Sequence, residues 1–261
     1  HPMTVLAASG RVWQRNWLVY RRLWHRSIAF GFLQPVLFLT AMGIGIGALL
    51  TADSLDAFDG FPYIDWLGPG LLAAMAMQTS TFESTYPIMN KIMWGRNYEA
   101  MLSTPLTVRN LVLGELGWVG FRIGTLAAVF LVVLTVFGIT RSPFAVLAVP
   151  VAMLVGMAFS ACLIAFTATQ RNDVGFSAIF RFVINPLFLF SGTFFPLSRL
   201  PDAIEWIAWL TPLYHGVQLI RGLVLNSLNV AAAPIHLGYL LAMLAIGAYL
   251  ADRLLRRRMA G

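Results

Sequence analysis

Long apolar stretches separated by short polar ones make up most of this chain. Each of six stretches is close to the length of about 20 residues with which an α-helix crosses the hydrocarbon core of a bilayer. A helix satisfies its own backbone hydrogen bonds in lipid. The pattern therefore predicts an all-α membrane protein with six transmembrane helices in a single domain, residues 1–261. The predicted spans are Phe30–Leu50, Trp66–Met89, Ile123–Ile139, Phe144–Thr169, Val174–Phe195 and Ile235–Leu250.

One further apolar stretch, residues 191–223, is broken too often to cross a bilayer. Pro201 followed by Asp202 is typical of a helix start, because proline lacks the amide that a first turn leaves unpaired and a carboxylate suits the helix N-terminus. Thr211 and Pro212 end that helix and can cap a second one. Each helix has about ten residues and is roughly 15 Å long, half of the hydrocarbon core. We predict a re-entrant external hairpin, with a seventh, kinked span as the alternative.

The segment before the first span, residues 11–26, mixes arginines with tryptophans and a tyrosine. At helical spacing these residues form one aromatic face and one basic face. Such a helix is expected to lie on the surface of anionic membrane lipid. A plain solvated helix is the alternative, which the number of tryptophans disfavours.

Composition and charge agree with a membrane protein. Hydrophobic residues make up 59% of the chain and charged residues 11%, which leaves too few polar groups to cover a soluble globule. With a cytoplasmic N-terminus, 15 of the 18 Lys and Arg residues lie on the cytoplasmic side, as the positive-inside rule requires. A seventh span would move Arg256–Arg258 outside. We therefore expect both termini in the cytoplasm, and we assign the net charge of +7 to the membrane surface, not to nucleic acid.

Motifs for catalysis are missing from the sequence. The only lysine, Lys91, is not preceded by the glycine frame of a phosphate-binding loop. His25, His215 and His236 do not have metal-ligand spacing, and the single cysteine, Cys162, excludes an internal disulfide. The chain is thus predicted to hold no cofactor or metal and not to be an enzyme by itself.

Three charged residues lie at or near the cytoplasmic ends of predicted spans. They are Glu83, Arg122 and Arg181. Because an unpaired charge in the bilayer is costly, a buried ionic cluster is a reasonable hypothesis. Snorkelling of the arginines to the headgroups is the alternative.

The polar loop between the second and third spans has the composition of a docking site. Charged and aromatic residues surround the apolar residues 100–102, and Ser103-Thr104-Pro105 would end a short helix there. A short exposed helix with an apolar tip suits a soluble partner. A plain cytoplasmic loop is the alternative.

Two of these segments carry a resemblance to a known family. The loop YEAMLSTPL, residues 98–106, and the hairpin motifs SGTFFP, LTPL and IRG resemble permease subunits of type-two ABC exporters, especially those of the nodulation-factor and daunorubicin-resistance groups. The resemblance covers the whole chain. It implies a homodimer, or a heterodimer with a similar permease, that carries two cytoplasmic ABC ATPase subunits, which would hold the ATP and Mg²⁺.

The resemblance also implies roles for particular residues. Residues 90–110 correspond to the coupling loop, with ATPase coupling expected at Trp94, Arg96, Tyr98, Glu99, Met101, Leu102 and Pro105. The hairpin corresponds to the external gate, with gating expected at Phe195, Pro196, Trp206, Trp209, Pro212 and Tyr214.

The implied function is ATP-driven export of an amphipathic, lipid-linked or drug-like substrate across a bacterial-type inner membrane. Two alternatives remain. One is an ion-coupled carrier with Glu83 as the proton site. The other is a membrane-embedded lipid-modifying enzyme that uses Glu83 or His215, which the predicted topology disfavours because it places these residues at opposite faces of the membrane.

Overall fold

Helices are the only regular elements in residues 5–21, 33–47, 58–197 and 202–260, which are the residues that the computed structural model describes. The fold class predicted from the sequence is confirmed at this level. We number the helices in chain order: α1 Val5–Tyr20, α2 Leu33–Gly47, α3 Tyr63–Ser84, α4 Tyr86–Met89, α5 Asn97–Leu102, α6 Val108–Val136, α7 Ala148–Thr169, α8 Val174–Phe190, α9 Asp202–Trp209, α10 Pro212–Leu225 and α11 Ala233–Ala260.

Wider, π-helical turns interrupt this regular geometry at three places. They lie at Leu39–Ile44 within α2, at Asn90–Trp94 directly after α4, and at Phe180–Ile184 within α8. The last of these ends at Ile184, two residues before Pro186. A widened turn accommodates a proline because it relaxes the regular hydrogen-bond ladder.

Three helical segments are long and apolar enough to cross a membrane: Val108–Val136, Pro143–Thr169 and Ala233–Met259. They correspond to the third, fourth and sixth predicted spans. The helices α2 and α8 are apolar but shorter, and α3 has 22 residues but carries Asp65 and Glu83. The protein is therefore a multi-pass membrane protein, and the count of six spans remains a prediction.

Small residues allow the long helices to pack closely. A Cβ atom added to Gly156 of α7 would lie 1.9 Å from Ile123 Cδ1 of α6. A Cβ atom at Gly247 of α11 would lie 2.9 Å from Ala161 Cβ of α7. Close backbone approach at small residues is the usual way to pack helices in lipid, where burial of apolar surface alone gives little driving force.

Two hydrophobic clusters divide the helices by depth. The larger one includes Leu134 of α6 and Leu213 of α10. The smaller one includes Tyr98 of α5, Leu116 of α6 and Leu255 of α11. We call the end of the molecule next to α5 the loop end, and the end next to α10 the hairpin end.

Helix α1 packs on α6 at the loop end. Trp13 and Trp17 are half-buried, and their rings lie 5.4 Å and 5.5 Å from that of Phe121. The predicted aromatic face thus contacts α6, and part of it stays exposed. Residues 22–26 of the predicted interfacial helix lie outside the described residues.

Candidate functional site

A buried carboxylate organises the loop end. Glu115 of α6 is only 2% exposed, and Lys91 Nζ lies 2.7 Å from each of its two oxygens. Asn16 of α1 donates from Nδ2 to the same carboxylate at 3.0 Å. A charge in such a place is tolerated only when it is paired and its lone pairs accept hydrogen bonds. Glu115 meets both requirements.

Tyr98 of α5 joins this network. Its side chain is 1% exposed and lies beside the Glu115 carboxylate. Burial and the neighbouring carboxylate hold the pKa of Tyr98 well above its usual range, so the phenol stays protonated. One carboxylate therefore connects α1, the segment after α4, α5 and α6. We call Asn16, Lys91, Tyr98 and Glu115 the Glu115 network.

Local chemistry fixes both ends of α5. Arg96, just before the helix, has the left-handed conformation with φ of 44°, which turns the chain sharply into the first turn. At the other end, Ser103 Oγ donates to the Glu99 carbonyl at 3.1 Å and Thr104 Oγ1 donates to the Met101 carbonyl at 2.5 Å. Pro105 follows. The predicted stop at residues 103–105 agrees with this geometry.

The exposed face of α5 differs from the predicted one. Tyr98 is buried, and Met101 and Leu102 are half-buried against the hydrophobic cluster at the loop end. Met101 and Leu102 thus do not form the fully exposed tip that the sequence suggests, and the part of Tyr98, Met101 and Leu102 in ATPase coupling stays a prediction. Positions i, i+3 and i+4 share one helix face, and this spacing could have identified the buried side from the sequence.

The remaining predicted coupling residues are exposed. Trp94 is 60% exposed, and Arg96, Glu99 and Pro105 are exposed as well. Arg96 and Glu99 lie 3.9 Å apart, a surface ion pair with little effect on stability. We call Trp94, Arg96, Glu99 and Pro105 the coupling face.

The intramembrane ions form a pair, not a cluster of three. Arg122 Nη2 lies 3.2 Å from Glu83 Oε1, and its guanidinium lies 4.7 Å above the ring of Tyr20. Arg181 is exposed on α8, and no carboxylate in the described part of the chain lies within ion-pair distance of it. The expectation that Arg181 joins Glu83 is therefore wrong.

Sequence reasoning missed Glu115. A glutamate flanked on both sides by apolar residues and glycines is a signal for a buried charge that needs a partner. It also missed the ion pair between Asp65 and Arg141 at the hairpin end.

The hairpin begins its second helix as predicted. Thr211 Oγ1 accepts a hydrogen bond from the Tyr214 amide at 3.4 Å, and Pro212 is the first residue of α10. The helix continues to Leu225 and so has 14 residues, where the sequence analysis expects about ten. Residues 198–201, including the predicted helix start at Pro201, lie outside the described residues.

The two hairpin helices differ in how firmly they are held. Residues of α10 from Leu213 to Leu225 are almost all buried, and the helix packs on α3, α7 and α11. Trp206 of α9, in contrast, is 78% exposed, and Trp209 is exposed too. The helix α10 is therefore part of the core, whereas the two tryptophans of α9 lie at the surface.

Buried polar contacts fix α10 further. The Arg221 guanidinium lies 3.7 Å above the Trp66 ring and donates to the carbonyls of Trp66 at 3.2 Å and Gly192 at 2.9 Å. Its Nη1 atom is buried without a hydrogen-bond partner. Gly192 belongs to the turn before Phe195, which is half-buried, and Pro196, which is buried. Arg221 thus ties this turn to α3 and α10.

A pair of histidines connects α10 of the hairpin to α11. His215 Nδ1 and His236 Nδ1 are 2.7 Å apart, so one nitrogen donates to the other. The Tyr239 ring stacks on His215 at 4.1 Å, and its hydroxyl donates to the Leu210 carbonyl at 2.6 Å. Burial and the neighbouring His236 lower the pKa of His215 to about 4. His215 is therefore neutral at pH 7.

An apolar cleft of about 400 Å³ opens between α8 and α9. Phe182, Pro186 and Phe190 of α8 line one side, and Ile207 and Ala208 of α9 line the other. An amphipathic molecule could place its apolar part here. We call this space the α8–α9 cleft.

These features together define the class of protein: a multi-pass membrane subunit with a short helix fixed at one end and a partly buried hairpin at the other. The sequence model of the ABC-2 type transporter family matches residues 9–225. The chain belongs to this family and is the membrane subunit of an ABC transporter. The resemblance to type-two ABC permeases is thereby confirmed.

Relatives of similar length support the same family. The chain is 32% identical to Nodulation protein J of Rhizobium meliloti (strain 1021) over 95% of its own length and 92% of that protein. It is 31% identical to Nodulation protein J of Rhizobium leguminosarum bv. viciae over 95% and 93%, respectively. It is 21% identical to the Inner membrane transport permease YadH of Escherichia coli (strain K12) over 86% and 84%.

Proposed function

We propose that this chain exports an amphipathic, lipid-linked or drug-like substrate from the cytoplasm or the inner leaflet, in a bacterial-type inner membrane. ATP hydrolysis in separate cytoplasmic ABC ATPase subunits, which hold the ATP and Mg²⁺, drives the export. The permease acts as a homodimer or as a heterodimer with a similar permease. The name of the Escherichia coli relative, an inner membrane transport permease, supports both the location and the class of activity.

The observation that carries this proposal is the two-sided environment of α5. Its inner side packs through Tyr98 into the same hydrophobic cluster as α6, and the coupling face is exposed next to it. An ATPase subunit that binds the coupling face therefore acts on a loop that is joined to a long apolar helix. Movement of the bound subunit would displace α6 together with this loop, because breaking the Lys91–Glu115 ion pair at its base would leave an uncompensated buried charge.

The α8–α9 cleft supports an amphipathic substrate. Its walls are apolar, and Phe182, Phe190 and Ile207 are exposed in the single chain. Exposed apolar surface of this kind faces lipid, a substrate or a second subunit. In a dimer whose subunits meet along α8, two such clefts would line one path.

A proton-coupled carrier is the competing proposal for the energy source. Glu83 is engaged by Arg122 at 3.2 Å, so this carboxylate already has a partner within the chain. The decisive experiment reconstitutes the permease with the ATPase that copurifies from native membranes into vesicles. Efflux of a fluorescent amphipathic probe should require ATP and the ATPase. Efflux driven by an imposed proton gradient, without the ATPase, would contradict ATP-driven export.

A further inference from the structure

A second cleft, at the loop end, lies between the start of α6 and the end of α11. Its volume is about 400 Å³. We call it the α6–α11 cleft. Its lining residues come from these two helices only, and they are Arg109, Val112, Leu113, Ala248, Tyr249, Asp252 and Arg256.

Polarity changes along this cleft in the same sense on both helices. On α6, Arg109 is followed one turn deeper by Val112 and Leu113. On α11, Ala248 and Tyr249 precede Asp252 and Arg256, which lie one and two turns nearer to the end of the helix. Because the two helices run in opposite directions here, both arginines lie at one end of the cleft and the apolar residues at the other. This gradient matches a molecule with an anionic head and an apolar tail.

The cleft opens on the outer surface of the single chain. Leu113 and Tyr249 are exposed large side chains, and only a small part of the apolar section of α11 is buried within the chain. Both helices belong to segments long and apolar enough to span a bilayer. The arginine end of the cleft therefore lies where hydrocarbon meets headgroups, the depth at which basic clefts between transmembrane helices bind anionic lipid headgroups.

The charges in the cleft are incompletely compensated. Arg256 Nε donates to Asp252 Oδ2 at 2.9 Å, so this arginine is paired. Arg109 has no carboxylate within ion-pair distance in the described part of the chain. It lies in the first turn of α6, where the helix dipole adds further attraction for an anion. Two arginines and one aspartate leave the cleft with a net positive charge.

Asp252 indicates that the ligand of this cleft also carries a hydrogen-bond donor. Its Oδ1 atom is buried and has no hydrogen-bond partner. A buried acceptor without a donor is unfavourable, and a ligand with a hydroxyl group would satisfy it. The phosphodiester group of a lipid has no proton to donate, so it cannot satisfy this acceptor. The cleft thus fits a headgroup that combines an anionic phosphate with a hydroxyl donor.

We propose that the α6–α11 cleft is a binding site for an anionic phospholipid with a hydroxylated headgroup, of the phosphatidylglycerol type, from the leaflet at the loop end. Arg109 and Arg256 bind the phosphate, Asp252 accepts from the headgroup hydroxyl, and the acyl chains lie along Leu113 and Tyr249. This site is separate from the coupling face and from the α8–α9 cleft. The proposal does not depend on the nature of the exported substrate.

Native mass spectrometry of the delipidated full-length protein tests the site. Phosphatidylglycerol and phosphatidylcholine of equal chain length are added in turn, and bound lipid is counted. We expect saturable retention of phosphatidylglycerol and weaker retention of phosphatidylcholine. Arg109→Gln and Arg256→Gln should each weaken phosphatidylglycerol binding about five-fold, as expected for one basic residue near a lipid headgroup.

Matched controls come from the same helix. Arg253 and Arg257 are exposed arginines of α11 that do not line the cleft. Arg253→Gln and Arg257→Gln should leave binding unchanged. Equal loss in all four variants would overturn the proposal, because it would show general attraction to a basic tail. A melting temperature measured without lipid identifies any variant whose loss of binding reflects misfolding. Arg109→Lys keeps the positive charge, and lipid binding by this variant would support the site.

Two further arms separate the sources of the anion. Inorganic phosphate at the same concentration should not displace the lipid; displacement would reduce the site to a simple anion site and contradict lipid binding. Asp252→Asn should reduce the preference for phosphatidylglycerol over phosphatidic acid, whose headgroup lacks the glycerol hydroxyls. An unchanged preference would contradict the assigned role of Asp252.

Discussion

Lys91 Nζ lies 2.7 Å from both carboxylate oxygens of Glu115, in a part of the molecule where Glu115 is almost fully buried. The two residues lie 24 positions apart in sequence, on either side of α5. The ion pair therefore closes the coupling loop at its base. Tyr98 packs against α6 in the hydrophobic cluster at the loop end, so the loop is held at its ends and in its middle.

Glu115→Gln is expected to destabilise the protein more than the loss of any exposed charge. Removing one member of a buried ion pair leaves the other uncompensated, at a cost of about 3–5 kcal/mol. The double variant Glu115→Gln/Lys91→Met should recover part of this loss, because no buried charge remains. Thermal unfolding of the purified protein measures both. A double variant less stable than Glu115→Gln alone would contradict the assignment.

Tyr98→Phe provides a milder test of the same network. It keeps the ring and removes the hydroxyl group beside the Glu115 carboxylate; if this hydroxyl group donates to the carboxylate, about 1.5–3 kcal/mol of stability should be lost. Copurification with the ATPase should fall as well, because α5 loses its attachment to α6. An unchanged melting temperature would show that the hydroxyl group does not contribute.

Exposed and buried residues of the coupling loop should respond differently. Trp94→Ala should weaken ATPase binding about ten-fold or more without lowering the melting temperature, since exposed tryptophans often dominate an interface once a partner buries them. Met101→Asp should lower the melting temperature instead, because it places a charge against the hydrophobic cluster at the loop end. Copurification and thermal unfolding, measured together, distinguish the two. Full ATPase binding by Trp94→Ala would contradict the proposal that the ATPase subunit binds the coupling face.

Features that depend on residues close together in the sequence could be predicted, and contacts between residues far apart in the sequence could not. The all-helical class, the capped start of α10 at Thr211 and the stop after α5 follow from apolar length, capping and proline, which act within a few residues. The partners of Glu115 could not be predicted, because Asn16 and Lys91 lie on other elements and only their packing brings them together. For the same reason Arg181 was grouped with Glu83: a similar depth in the membrane does not place two side chains on facing helix surfaces.

The pairing of Glu83 with Arg122 can be measured in a double-mutant cycle. We expect Glu83→Gln and Arg122→Gln to interact by about 0.5–3 kcal/mol, since the two side chains are in direct contact. Arg181→Gln serves as the control and should act additively with Glu83→Gln. Additivity between Glu83 and Arg122 would indicate that each residue reaches the headgroups separately.

Acid should loosen the packing around α10. The pKa of His215 is lowered to about 4, below its ordinary value of 6.5, so the unfolded chain binds a proton more readily than the folded chain between these values. Stability should therefore fall as the pH falls from about 6.5 towards 4, a window that follows from these two values. His215→Gln should flatten this part of the profile in thermal unfolding between pH 7.5 and 4.5. An identical pH profile in the variant would assign the effect to other groups.

The contrast between α9 and α10 makes a final prediction about gating. Ile207 of α9 is exposed on the wall of the α8–α9 cleft, whereas Leu219 of α10 is buried in the core. In a Cys162→Ala background, Ile207→Cys should react with a bulky maleimide, and Leu219→Cys should not. If α9 and the cleft form the gated exit, the modified Ile207→Cys should lose export of the fluorescent probe while ATPase binding persists, because the adduct fills space that the substrate needs. A small methylthio reagent at the same cysteine fills much less of the cleft and should leave most of the export intact, and its removal by reductant should restore the rest. Undiminished export by fully maleimide-modified Ile207→Cys would show that the substrate leaves by another route and that α9 is a static cover.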